Sequence, residues 1–258
     1  MLKHALVTGS TSGIGLAIAR TLVSRGISVV LTGLGDSDEI EETRQQLASS
    51  GGVQAYYVHA DLRDAAEARQ LVREAETLTG GIDILVNNAG IQHTAPVEEF
   101  PPERWDAVLS INLSSAFHTT AEVLPGMRSR GWGRVVNIAS AHGLVASPYK
   151  AAYVAAKHGL VGLSKVVALE TAGSGVTCNA ICPGWVRTDL VERQIEARAR
   201  DEGVPVEQAA LGLLREKQPS QSFVSPEQIG GLVAFLCSDE AAQMTGSALS
   251  MDGGWTAQ

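Results

Sequence analysis

The stretch Ala5-Leu-Val-Thr8-Gly-Ser-Thr-Ser-Gly13-Ile-Gly15 decides how this chain is read. Its opening, Ala5–Val7, has the character of a short buried strand. The glycines that follow permit a tight turn and let the backbone approach a pyrophosphate closely. A helical pattern then runs from Gly13 to Arg25. The loop therefore opens a helix, and helix N-terminal N–H groups favour an anion. A glycine loop alone is weak evidence, but the strand–turn–helix setting strengthens it. Gly9, Thr11, Ser12, Gly13 and Ile14 are the expected nucleotide-binding residues of this segment.

Outward from that unit, apolar β-branched runs alternate with helical patterns. Strands are expected at 5–7, 29–32, 55–59, 84–87, 135–138, 177–181 and 248–251. Helices are expected at 13–25, 37–50, 65–79, 104–130, 151–172 and 226–237. Such alternation argues for βαβ units, a parallel sheet and an α/β fold of one domain, 1–258, with helices on both faces. The exception is 186–225, which is polar, charged and helical in character. It reads either as a lid over a binding face or as a solvated helical excursion.

Three further segments end strands on the ligand-binding side of such a sheet. Asp61-Leu62 follows the third strand, where the carboxylate would either bond an adenine amino group or cap the next helix. Asn87-Asn88-Ala89-Gly90 follows the fourth and by itself is only a turn. Thr32-Gly-Leu34-Gly-Asp36-Ser-Asp38-Glu39 follows the second. It contains no Lys or Arg, and neither does Thr8–Gly15. A ribose 2′-phosphate would meet only acids there, so NAD is expected rather than NADP.

Composition narrows the function classes. The chain has 258 residues, 45% hydrophobic and 19% charged, and its 28 acids outnumber 20 Lys and Arg for a net charge of −8. Such acidity argues against nucleic acid or an anionic membrane surface as partner. No apolar run approaches the roughly 18 residues of a membrane span, and no signal peptide is visible. Cys178, Cys182 and Cys237 show no metal or disulfide framework, so reduced, buried side chains in a cytoplasmic protein are expected. No metal site is expected.

The chemistry concentrates in Ser140…Tyr153-Val-Ala-Ala-Lys157. Tyr153 and Lys157 share one helix face. A lysine ammonium there would favour a phenolate and lower a tyrosine pKa from its ordinary value near ~10. Tyr153 would then move a proton near neutral pH. Ser140 closes an apolar run that reads as a buried strand, at the end where ligands bind. Alone, the Tyr153–Lys157 spacing would be an ordinary surface pair.

Together these motifs resemble the short-chain dehydrogenase/reductase family: Thr8-Gly-x-x-x-Gly13-Ile-Gly15, Asn87-Asn-Ala-Gly90, Ser140 before Tyr153-x-x-x-Lys157, and Pro183-Gly184, in the family's order over nearly the whole chain. The resemblance implies a Rossmann-like, doubly wound seven-stranded sheet and a homotetramer. It implies Tyr153 as acid/base, Lys157 lowering its pKa and holding the ribose, Ser140 polarising the carbonyl, and Asn112 placing a relay water. It also implies cofactor contacts from Leu34, Asp61, Leu62, Asn88, Ala89, Gly90, Tyr153, Lys157, Pro183, Gly184, Val186 and Thr188. The family's ribose-binding acid falls where this chain has Leu34. Backbone groups around Gly33 and Leu34 are the expected substitutes.

A closer resemblance is to the bacterial subgroup that acts on short 3-hydroxy acids. It rests on Gly90-Ile-Gln92-His93-Thr, Ser140-Ala-His142-Gly-Leu-Val-Ala, Cys182-Pro-Gly-Trp185-Val-Arg-Thr, Glu216-Lys-Gln-Pro-Ser220 and Asp252-Gly-Gly-Trp255-Thr-Ala. It implies that Gln92, His142, Lys150 and Gln194 bind a carboxylate, and that Trp185 and Trp255 shape a small pocket. The residue types suit this. Lys150 is close enough to Tyr153 to enter the same site, and its ammonium supplies positive charge to an acidic protein. Gln92 and Gln194 would be left unpaired by a substrate without the carboxylate. Gln194 lies in 186–225 and would arrive on closure. The expected reaction is reversible, NAD-dependent oxidation of (R)-3-hydroxybutyrate to acetoacetate. A reductase of 3-oxoacyl thioesters and a catalytically silent NAD-binding sensor are its rivals.

Overall fold

The computed structural model describes residues 2–257, without the side chains of Asp189 and Leu190. Seven parallel strands, β1 (His4–Thr8), β2 (Ser28–Thr32), β3 (Ala55–Tyr57), β4 (Ile84–Asn87), β5 (Gly133–Ile138), β6 (Val176–Pro183) and β7 (Ala248–Met251), form one sheet in the order β3-β2-β1-β4-β5-β6-β7. The chain winds outward from β1 to β3, then returns to place β4 against β1. That reversal opens a crevice at the carboxyl ends of β1 and β4.

The helices are α1 (Gly13–Ser24), α2 (Ser37–Gly51), α3 (Ala65–Thr79), α4 (Pro102–Leu109), α5 (Ser115–Arg130), α6 (Ala151–Glu170), α7 (Asp189–Glu202), α8 (Val206–Lys217) and α9 (Pro226–Leu236). Alternate strand residues point to opposite sheet faces. Val7, Leu31, Ile84, Val136 and Ile181 pack with Ile18 and Leu22 of α1 and Val233 of α9. Leu6, Val30, Leu85 and Val135 pack with Leu71 of α3, Met127 of α5 and Val167 of α6. Both faces are covered, so the central strands read as continuous apolar runs. Asp36 caps α2 through Asp38 N and Glu39 N, and Asp64 caps α3. The helix-cap reading of Asp61 is thereby corrected: Asp64 is the cap, and Asp61 Oδ1 accepts from Arg63 N at 3.0 Å.

The expected continuous helix 104–130 is not one helix. It is α4, a π-helical turn at Ser110–Ser114 and then α5. A π-turn adds one residue to the helical repeat and so turns α5 relative to α4. Segment 186–225 contains α7 and α8, packed through Val191, Ile195, Ala199, Ala209 and Ala210. Arg187 ties it together by pairing with Glu192 and with Glu207, the latter at 2.7 Å.

Candidate active site

The crevice is built first by glycines. Gly9 (φ 62°) lies so near β4 that a Cβ would sit 2.9 Å from Ala89 Cα, and one on Gly15 would sit 2.2 Å from the Gly9 carbonyl oxygen. Asn88 is more than a turn residue. Its Nδ2 donates to the carbonyls of Thr8 and Gly9 at 2.9 and 3.0 Å, while Thr8 Oγ1 accepts from Asn88 N and Ala89 N. The glycine loop is thus pinned across the gap between β1 and β4. Ser12 is the extended N-cap of α1, and its side chain makes no capping bond, which leaves the helix's first N–H groups to a ligand. Around this cradle, Gly9, Thr11, Ser12, Gly13, Ile14, Leu34, Asp61, Leu62, Asn88, Ala89, Gly90 and Thr188 line an open cleft. An extended dinucleotide fits that donor set.

At the β2 end, Leu34 is 67% exposed toward solvent. Its carbonyl accepts from Thr11 Oγ1 at 3.3 Å and that of Gly33 from Tyr57 Oη at 2.8 Å. Both carbonyls already have partners, and Asp36 is occupied with capping α2. Asp61 grips Arg63, at 2.5 Å in the closest contact, and that guanidinium holds its carboxyl down at about 2.

A second, smaller cleft continues from the first through Ile14, Asn88, Gly90, Ile91 and Thr188. It brings together Ser140, Tyr153, Lys157, Gln92, His142, Lys150, Trp185, Gln194 and Trp255, with Pro183, Gly184 and Val186 along its wall. Asn112 stands just outside it, turned inward by the π-turn and bonded to the backbone of Ile91. Ser140 is the extended N-cap of a short 3₁₀ turn and accepts from His142 N at 3.1 Å. Lys157, buried in α6, donates its ammonium to the Ile138 carbonyl at 2.7 Å and lies 5.6 Å from the Tyr153 ring centroid.

The expected lowering of the Tyr153 pKa is not what this arrangement produces. Burial pushes the phenol up, opposed by its hydrogen bond with Ser140. The Lys157 ammonium is engaged by a carbonyl, and burial holds it down at about 8. Desolvation outweighs charge here because both groups are removed from water together.

The rest of the cleft is an aromatic box. Trp185 stacks on Trp255 at 5.8 Å, His142 meets Trp255 edge-on at 5.0 Å and Tyr153 at 6.0 Å. Lys150 Nζ lies over Trp185, 5.0 Å from its centroid. Burial lowers Lys150 to about 8, and burial aided by Lys150 lowers His142 to about 3. At neutral pH the box therefore holds the Lys150 ammonium beside a neutral imidazole, which suits a small anion.

Two supports had no individual signal in the sequence. Gln218, fully buried, accepts from Trp185 N at 2.9 Å and donates to the Ser222 carbonyl, so the end of α8 holds Trp185 in place. Ser147 Oγ lies 3.0 Å from His142 Nε2. Gln218 stands within Glu216-Lys-Gln-Pro-Ser220, but only burial reveals its task. All three cysteines are free and buried. Among the described residues no group of three or more His, Cys, Asp or Glu could hold a metal ion, and no helix is long and apolar enough to cross a membrane.

A dinucleotide cradle at a sheet switch point, opening onto a buried Ser–Tyr–Lys group, defines an oxidoreductase that uses a nicotinamide cofactor. The chain belongs to the short-chain dehydrogenase family, whose pattern matches residues 3–199. It is 58% identical over 257 residues to the D-beta-hydroxybutyrate dehydrogenase of Cupriavidus necator, covering 99% of this chain and 98% of that one. It is 51% identical over 258 residues to the D-beta-hydroxybutyrate dehydrogenase of Rhizobium meliloti, covering 100% of both. Among solved structures, L-sorbose reductase from Gluconobacter frateurii, complexed with NADPH and L-sorbose, superposes with a TM-score of 0.94 at 31% identity, covering 100% of this chain and 97% of that one. An actinorhodin polyketide ketoreductase with NADPH gives 0.92 at 37%, covering 100% and 98%.

Proposed function

We propose that this enzyme reversibly oxidises (R)-3-hydroxybutyrate to acetoacetate, with NAD as the hydride acceptor. The observation that carries this reading is the aromatic box with the Lys150 ammonium over Trp185, in the cleft that holds Tyr153. A short 3-oxo acid has one carbonyl to reduce and one carboxylate to anchor, and the box offers a partner for each. The names of the two full-length relatives support the same substrate.

When bound, the nicotinamide supplies hydride exchange; this chain's residues supply position and proton transfer. Tyr153 Oη takes the hydroxyl proton in oxidation and returns it in reduction. Ser140 donates to the substrate oxygen and to the developing charge upon it. Lys157 donates to the ribose, and Asn112 fixes the loop that carries Gln92. Lys150, His142, Gln92 and Gln194 hold the carboxylate, with Trp185 and Trp255 as walls. Segment 186–225 acts as a lid over the single domain, excluding water once Gln194 is seated.

The absence of Lys and Arg from Thr8–Gly15 and Thr32–Glu39 supports NAD over NADP, although the NADPH-bound neighbours share the fold. The exposed apolar side chains Phe117 of α5 and Val166 and Leu169 of α6 support a homotetramer. Three free, buried thiols support a cytoplasmic setting.

A spectrophotometric assay tests the reading. NADH should be consumed with acetoacetate, far more slowly with its methyl ester, and more slowly again when NADPH replaces NADH. Malonate should compete with acetoacetate. No NADH consumption with acetoacetate would overturn the substrate assignment.

A further inference from the structure

His142 is 4% exposed and held edge-on between Tyr153 and Trp255. Its Nε2 lies 3.0 Å from Ser147 Oγ. Its Nδ1 has no hydrogen-bond partner among the described residues and is the nitrogen left for a ligand in the cleft that His142 lines. A neutral imidazole has one N–H donor and one bare acceptor nitrogen. A carboxylate only accepts. His142 therefore attracts a carboxylate with one tautomer and repels it with the other.

We propose that Ser147 is a positioning residue for substrate recognition: its hydroxyl donates to His142 Nε2 and so keeps the imidazole proton on Nδ1, facing the substrate carboxylate. The hydroxyl is a rotor and would serve either tautomer in isolation. The bound carboxylate selects which, because Nδ1–H toward the anion and O–H toward Nε2 is the one arrangement that satisfies all three groups. Burial keeps the ring from taking a second proton and donating on both sides. This inference rests on the reading of the cleft as a 3-oxo acid site.

The backbone holds Ser147 in place for this task. It precedes Pro148, which restricts it to extended conformations. Pro148 and Tyr149, the latter at φ 67°, form the centre of a tight turn, with the left-handed third position that marks type II. The Tyr149 carbonyl accepts from Ala95 N at 3.0 Å, which fastens the turn to the loop carrying Gln92. Ser147 and Lys150 thus flank one anchored turn, and each reaches the carboxylate site, Ser147 through His142 and Lys150 directly.

Long-range ¹H–¹⁵N spectra of histidine-labelled protein, with the His142 signal assigned by its loss in His142→Asn, read the tautomer with malonate bound. Wild type should show Nδ1–H, and Ser147→Ala should shift the population toward Nε2–H. Ser147→Ala should raise KM for acetoacetate about tenfold, the effect of one lost hydrogen bond, with kcat within about threefold. Ser147→Thr should restore KM, and NADH binding followed by fluorescence should be unchanged in both variants. A wild-type Nε2–H tautomer, or an unchanged acetoacetate KM in Ser147→Ala, overturns the proposal. A wild type with the Nδ1–H tautomer that reduces no small 3-oxo acid supports the Ser147–His142 arrangement and counts against the proposed function instead.

Discussion

The carboxamide of Asn112 pairs with both backbone polar groups of Ile91, its Oδ1 accepting from the amide at 2.8 Å and its Nδ2 donating to the carbonyl at 3.0 Å. Asn112 is 1% exposed, so no water replaces it easily. Asn112→Leu should leave two backbone groups unpaired, at about 1–3 kcal/mol each if they stay buried. Urea unfolding should show a lower midpoint, and KM for the acid should rise because Gln92 adjoins Ile91. An unchanged midpoint would contradict the pairing.

Tyr153→Phe keeps the ring against His142 and removes only the hydroxyl. Turnover should fall by about 10²–10⁴, the range for a positioned acid/base. NADH affinity, followed by fluorescence, should stay within about threefold. Residual activity near wild type would assign proton transfer elsewhere.

Lys150 gives a pH signature. Its pKa is lowered by burial to about 8, so its ammonium is present below that pH and lost above it. KM for acetoacetate should therefore be low below pH 8 and climb as pH rises through it. Lys157 also lies at about 8, so kcat cannot separate the two groups. The KM of a neutral keto ester can, and it should stay flat. Lys150→Met should raise the acetoacetate KM and flatten its pH profile.

Leu34 is the place to alter cofactor choice. It is exposed, lines the dinucleotide cleft and lies in Thr32–Glu39, a segment without Lys or Arg. Leu34→Arg should lower KM for NADPH about tenfold or more, through one charge-assisted contact of about 1.5–3 kcal/mol. Acetoacetate KM should not move. No gain with NADPH would place the 2′-position away from residue 34.

Tyr149 carries a left-handed backbone (φ 67°) while its side chain is 62% exposed. A non-glycine residue there costs roughly 1–2 kcal/mol, and Asn tolerates it better. Tyr149→Asn should raise Tm by ~2–4 °C. A lower Tm would mean that the tyrosine ring contributes contacts in the assembled protein.

Much of this molecule is legible in local pattern. The strand–glycine–helix opening, the alternation of apolar strands with helices, the Tyr153–Lys157 pair on one helix face and the lack of cations after β2 are all properties of neighbouring residues. Their periods of 2 and 3.6 are imposed by backbone geometry. Family resemblance then pointed to His142, Lys150, Trp185, Gln194 and Trp255, and the fold brings them to one cleft. What the tertiary structure alone decided is of another kind. The π-turn at Ser110–Ser114 that carries Asn112 has no signal in the reading of 104–130 as one helix. Ser147 beside His142 and Gln218 beneath Trp185 are contacts through space, set by where turns and helix ends dock. The electrostatics belong there too. A sequence shows that a lysine lies near a tyrosine, but desolvation depends on what packs over them, and it raises Tyr153 while lowering Lys150 and Lys157.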